Sequence, residues 1–222
     1  MYKQKCTSVF NEICGMENIL VAGANGTTGK KIVNLLATSQ YFTPVAMVRK
    51  EEQQKQFIQR NIQTVLADLE EDVAHTVKDI DKVIFAAGSG GKKVKEVDEN
   101  GAKKLIAAAE KEHIKKFVML SSMGADNPKG AEDLQEYLEA KHNADEFLKK
   151  SNLTYSIVRP GTLTDDKGSG KIELKHKLNK QGEISRDDVA QTLVRVLHDS
   201  AEVDDTFEII KGDTLIGKAI PH

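Results

Sequence analysis

An excess of either charge is the first thing this sequence lacks. Its 32 Lys and Arg stand against 34 Asp and Glu, a formal net charge of −2, so no basic field is offered to a nucleic acid or to an anionic membrane surface. Long apolar runs are missing too. None approaches the roughly 18 residues that cross a bilayer as a helix, which excludes a membrane-spanning segment of that kind. The opening "MYKQKCTSVFNEICG" has neither an extended apolar stretch nor a small-residue cleavage site, so it does not read as a secretory leader and a cytoplasmic protein is expected. The only cysteines, Cys6 and Cys14, fall in that stretch outside any core pattern, and are expected to be free thiols. The six histidines are scattered, with no H-E-x-x-H or paired-Cys spacing, and no metal is expected. The partner left by these exclusions is a small molecule; the oligomeric state is not legible.

What is present is a chain of 222 residues, 39% hydrophobic and 30% charged, long enough for one globular domain with a sizeable core. Residues 1–15 read as an N-terminal extension, because Met16 leads directly into the first strand. Residues 16–222 read as one domain with a small C-terminal substrate region. "NILVAG" (18–23), "TPVAMVR" (43–49), "IQTVLAD" (62–68), "KVIFAAG" (82–88), "KKFVMLSS" (115–122) and "LTYSIVRP" (153–160) are short, apolar or β-branched, and end at turn formers, as buried strands do. Helical spacing lies between them, in Ile32, Leu35 and Leu36, in Leu105, Ala108 and Ala109, and in Leu134, Leu138 and Leu148. Such an alternating series closes its apolar surfaces as a doubly wound parallel sheet in a three-layer α/β/α arrangement. "VAQTLVRVLHD" (189–199) adds a late helix and "TFEII" (206–210) an edge strand.

The stretch "LVAGANGTTGKKIVNLL" (20–36) carries the first chemistry. Gly23 ends the first strand, and Gly26 and Gly29 follow at three-residue spacing. The turn is therefore tight, its backbone is uncovered, and the helix N-terminus that follows points free N–H groups at an anion; a pyrophosphate fits. Where a site that prefers NAD places an acidic residue, about 20 residues on, this chain has Arg49 and Lys50. These would pair with a 2′-phosphate, so NADP is expected over NAD; otherwise they are solvated cations. Asp68, closing the third strand, either meets an adenine amino group or caps a helix in "LEEDVAHTV".

A second constellation is "YLEAK" (137–141). Tyr137 and Lys141 lie four apart on one helical face, and an ammonium beside a phenol favours the phenolate, which suits proton transfer. Ser121 and Ser122 end the fifth strand at the carboxyl edge of the sheet, where open α/β sheets bind ligands, so a serine hydroxyl can join that pair. In "RPGTL", Pro160 fixes the chain and Gly161 lets it turn beside the nicotinamide, unless the pair is a plain strand-end turn. The polar stretch "TDDKGSGKIELKHKLNKQG" (164–182) reads as a loop whose Lys171, Lys175, His176 and Lys177 either receive an anionic substrate or are solvated.

With "GANGTTG", "SSMGA", "YxxxK", "VRPGTL" and "ISRDDVA" in this order, the chain resembles the atypical branch of the short-chain dehydrogenase/reductase superfamily, the NAD(P)-binding NmrA-like proteins, from residue 18 to the end. The resemblance implies a Rossmann fold. It implies that Gly23, Asn25, Gly26, Thr27, Thr28 and Gly29 wrap the pyrophosphate, that Arg49 and Lys50 take the 2′-phosphate, that Asp68 and Leu69 border the adenine, and that Ala86, Ala87 and Gly88 pass beneath the ribose. It also implies Tyr137 as general acid/base, Lys141 on the nicotinamide ribose, and Ser122 orienting the substrate carbonyl, Ser122 being chosen over the cofactor-side Ser121 for its interval to Tyr137. No Asn obviously completes the relay. The expected activity is NADP-dependent reduction of a small carbonyl or quinone-like substrate; a non-catalytic NADP(H) sensor and, less favoured, a nucleotide-sugar epimerase are the alternatives.

Overall fold

The computed structural model describes residues 15–130, 132–201 and 204–221, so the expected extension, with Cys6 and Cys14, lies outside the described residues apart from Gly15. The chain runs β1 (Glu17–Ala22), α1 (Thr27–Ala37), β2 (Phe42–Val48), α2 (Glu51–Ile58), β3 (Gln63–Leu66), β4 (Lys82–Phe85), α3 (Ala102–Lys111), β5 (Lys116–Leu120), α4 (Gln135–Lys149), β6 (Tyr155–Pro160), β7 (Thr162–Thr164), β8 (Lys171–Lys175), β9 (Glu183–Ser185), α5 (Arg186–Arg195), β10 (Asp205–Lys211), β11 (Thr214–Leu215) and α6 (Ile216–Ala219). Strands β11-β8-β10-β6-β5-β4-β1-β2-β3 form one sheet in that spatial order, and β7 pairs with β9 in a small separate ribbon. All ladders from β3 across to β10 are parallel.

Period-two alternation explains why both faces are covered. In β1, Ile19 and Val21 join the core beneath α1 and α5, with Ile32, Val33, Leu36, Val189 and Leu193. Leu20 and Ala22 join the opposite core, with Leu105, Ile106 and Ala109 of α3 and Ala144 and Leu148 of α4. Beside β1, β2 and β3 continue on one side and β4 on the other. This reversal opens a crevice beyond the carboxyl ends of β1 and β4.

Three expectations need correction. The strand at 206–210 is not an edge: β10 lies between β6 and β8, and β8 and β11 run antiparallel beyond it. β8 itself sits inside the stretch expected to be a polar loop, since Ile172 is buried while its charged neighbours face outward, a one-sided alternation that the surrounding lysines disguise. No α-helix forms in "LEEDVAHTV", only a 3₁₀ turn at Ala74–Val77, so Asp68 caps no α-helix there; its Oδ1 accepts from Glu70 N at 3.0 Å.

Two buried lysines, at the starts of β4 and β5, fix the turns that follow α5. Lys82 Nζ donates to Leu197 O at 2.8 Å and pairs with Glu17 and Asp199, each at 2.7 Å. Lys116 Nζ donates to His198 O and Ala201 O at 3.2 and 2.5 Å. Carbonyls of the turns that follow α5 thus find charged donors inside the molecule.

Candidate cofactor and active site

A cavity of 940 Å³ fills the crevice. The glycine turn forms its floor. Gly23 has φ +85°, and a Cβ there would stand 2.6 Å from the Ala87 backbone, so only glycine lets β1 and the end of β4 come together. At Gly29 a Cβ would meet Gly23 O at 2.0 Å; this glycine is buried, lies off the cavity wall, and lets α1 pack onto the turn. Gly26 differs. Its nearest neighbour would be Gly23 O at 3.2 Å, and its open side faces the cavity as the N-cap of α1, which has no side-chain cap over its first turn. The α1 N–H groups there are available to an anion.

Gly23, Asn25, Gly26, Thr27, Thr28, Arg49, Asp68, Leu69, Ala86, Ala87, Gly88, Ser121, Tyr137 and Lys141 all line this cavity; Gly29, Lys50, Ser122, Pro160 and Gly161 do not. Lys50 instead helps start α2, where Gln53 Oε1 accepts from the backbone N–H of Arg49 and Lys50 at 3.1 and 3.2 Å. Gly161 is needed for packing, because a Cβ would lie 2.2 Å from Gly182 O. The two serines are placed differently. Ser121 continues β5, its N–H donating to Val158 O at 2.8 Å, and the residue lines the cavity. Ser122 turns away, its Oγ donating to Met123 O at 3.2 Å.

Ser121 Oγ donates to Asp145 Oδ2 at 2.8 Å, and Arg159 Nε and Nη2 donate to the same oxygen at 3.0 and 2.8 Å. Burial pushes the Asp145 carboxyl up, against the pull of Arg159, Ser121 and Lys141. With its proton directed at Asp145, Ser121 has lone pairs left for an incoming donor. Lys141 is buried and donates to Leu120 O at 3.2 Å, with Asp98 Oδ1 at 3.7 Å. Its Nζ stands 5.7 Å from the centroid of the Tyr137 ring, within cation–π range.

Asp98, Arg186, Gln53, Ser89, Lys92 and Lys93 also line the cavity, and the motifs did not single them out. Asp98 occupies an eight-residue π-helical stretch, Val94–Gly101, where its Oδ2 accepts from Ser89 N at 2.9 Å; a wide turn of this kind has no signature in residue spacing. Arg186 did leave a signal inside "ISRDDVA": a cation in the first turn of a helix opposes the helix dipole.

The donor set suits a dinucleotide. Asn25 Oδ1 and Ser89 Oγ are buried with no hydrogen-bond partner among the described residues, and both belong to the cavity wall. Buried polar atoms of this kind call for a partner. An uncapped helix start, a glycine open toward the cavity and unsatisfied polar atoms thus surround one cleft.

Fold and cleft together define an NAD(P)-binding Rossmann protein of the atypical short-chain dehydrogenase/reductase kind, NmrA-like in its motifs. The chain belongs to the NAD(P)H-binding family, whose model matches residues 23–200. It is 40% identical over 210 residues to YhfK of Bacillus subtilis, named an uncharacterized sugar epimerase, covering 91% of this chain and 98% of that one. A solved structure from Bacillus halodurans, assigned to the NAD-dependent epimerase/dehydratases, shares 39% identity and a TM-score of 0.88, with 91% and 98% of the two chains covered. The oxidoreductase ylbE of Lactococcus lactis shares 33% identity and a TM-score of 0.82, with 91% and 94% covered. Among the described residues no helix is long and apolar enough to cross a membrane.

Proposed function

We propose that this chain is an NADP-dependent oxidoreductase that reduces a small carbonyl or quinone-like substrate, with Tyr137 as proton donor. The observation that carries the reading is the placement of Tyr137, Lys141 and Ser121 in the wall of the same cleft as the glycine turn. The Lactococcus relative's name as an oxidoreductase agrees with it.

Gly26, Thr27 and Thr28 would hold the pyrophosphate, Asp68 and Leu69 the adenine, and Lys141 the nicotinamide ribose. When bound, the dinucleotide supplies the reducing equivalents. Tyr137 passes its phenolic proton to the substrate oxygen, and the Lys141 ammonium, kept in place by Leu120 O and Asp98, stabilises the phenolate left behind. Ser121, which lines the cleft where Ser122 does not, offers its lone pairs to a donor group of the bound substrate or cofactor. Leu134 and Leu163 give the substrate end apolar wall, which strengthens these polar contacts. A screen of NADPH oxidation against aldehydes, ketones and quinones tests the reading.

The preference for NADP rests on Arg49, which lines the cavity and whose guanidinium has no partner among the described residues. NADPH is expected to bind more tightly than NADH, and Arg49→Glu to reverse the order by replacing attraction with repulsion. Calorimetry of both cofactors with both proteins checks this; equal affinities in the wild type would remove the assignment.

A second reading, epimerisation of a nucleotide sugar, is favoured by the names of the two Bacillus proteins. It predicts interconversion of sugar epimers with no net consumption of NADPH, which chromatography of the sugar products separates from reduction.

A further inference from the structure

Among the cations lining the cavity, Arg49, Lys92 and Lys93 come from the end of β2 and from the loop after β4, and Lys141 is buried against Leu120 O and Asp98. Arg186 comes from a different part of the chain, the first residue of α5. The acidic residues beside it are occupied elsewhere: Asp187 pairs with Lys31 at 2.6 Å, and Asp188 accepts from the N–H groups of Ser169 and Gly170 and from Ser185 Oγ.

The guanidinium is only partly used. Nη1 donates to Leu163 O at 3.4 Å and to Asp165 Oδ1 at 3.0 Å, while Nε and Nη2 have no hydrogen-bond partner among the described residues. Asp165 is 79% exposed and Arg186 only 23%, so the partner is a solvated carboxylate of the weak, exchangeable kind. A planar fork with free donors beside apolar Leu163 suits a carboxylate, which it can hold through two parallel hydrogen bonds. The loop cations expected to receive an anion are committed to other groups. Lys175 meets Glu173, His176 meets Asp205, and Lys177 meets Asp126 and Glu208; neither these nor Lys171 line the cavity.

We propose that Arg186 receives a carboxylate carried by the substrate, with Asp165 holding the guanidinium until that group arrives. The class of substrate is then a carbonyl compound bearing an acid. This rests on the reading of the cleft as a cofactor-dependent reductase site, and the two are tested apart.

The probes are 4-carboxybenzaldehyde and methyl 4-formylbenzoate, which share a carbonyl and differ by one negative charge. Each is titrated calorimetrically into the chain saturated with NADP⁺. The acid is expected to bind the wild type about tenfold or more tightly than the ester, from one charge-assisted pair. Arg186→Gln should erase that difference and Arg186→Lys should keep part of it. Asp165→Asn, at an exposed position, should tighten the acid and leave the ester unchanged. A wild type that binds the acid no better than the ester, or a preference that survives Arg186→Gln, overturns the proposal. So does Arg186→Gln weakening NADP⁺ itself, which would assign the guanidinium to a cofactor phosphate. If the wild type binds no NADP⁺, the cofactor reading falls, and the same acid and ester comparison on the free chain still decides Arg186.

Discussion

Tyr137→Phe is expected to lower turnover by about 10² or more while leaving NADPH affinity unchanged. The substitution keeps the ring that faces Lys141 at 5.7 Å and removes only the proton that accompanies reduction. Lys141→Ala should damage both binding and turnover. Lys141 is buried between Leu120 O and Asp98, so its loss leaves a buried carboxylate without its cation as well as a phenol without its neighbour. Steady-state NADPH oxidation by the wild type and Tyr137→Phe, on the best substrate of the carbonyl and quinone screen, is the measurement. A phenylalanine variant as active as the wild type would end the proton-donor role. A wild type inactive across the whole panel would instead favour a sensor, in which the Tyr137 hydroxyl has no duty.

Gly26→Val is expected to abolish cofactor binding in a chain that melts as the wild type does, and Gly29→Ala to prevent stable folding. The two glycines stand three residues apart in one motif, yet their surroundings differ. A side chain at Gly26 meets only Gly23 O, at 3.2 Å, before entering the cleft, whereas one at Gly29 meets backbone at 2.0 Å. The first fills the space that a pyrophosphate needs; the second forces α1 off β1, a backbone displacement that repacking of side chains does not absorb. Calorimetry with NADPH and thermal melting of both variants separate the duties. Binding retained at unchanged affinity by Gly26→Val would place the cofactor elsewhere.

Much of the frame was legible because its causes are local. Six of the parallel strands are short apolar runs ending at turn formers, and the structure places them close to where those runs fall, from Glu17–Ala22 to Tyr155–Pro160. The C-terminal third was read less well. Ile172 and Leu174 alternate with charges in a five-residue strand, too short for a clear pattern among so many lysines. Its consequence, the interior position of β10, depends on what pairs beside it and not on β10's own residues.

The sequence by itself determined the alternating architecture, the glycine turn after the first strand, and the helical pairing of Tyr137 with Lys141, because strand burial, backbone freedom at glycine and i,i+4 spacing are each set by residues close together in the chain. Tertiary structure alone decided which side chains face the cleft. It placed Ser121 and not Ser122 in the cavity wall, left Lys50 outside that wall at the start of α2, and brought in Asp98 from a π-helical stretch and Arg186 from α5. Arg186 lies 23 residues from Leu163, whose carbonyl it meets, and 49 from Tyr137, with which it shares the cavity wall. No local pattern links such positions. The packing of α5 against α1 and the pairing of β7 with β9 bring them to the same cleft.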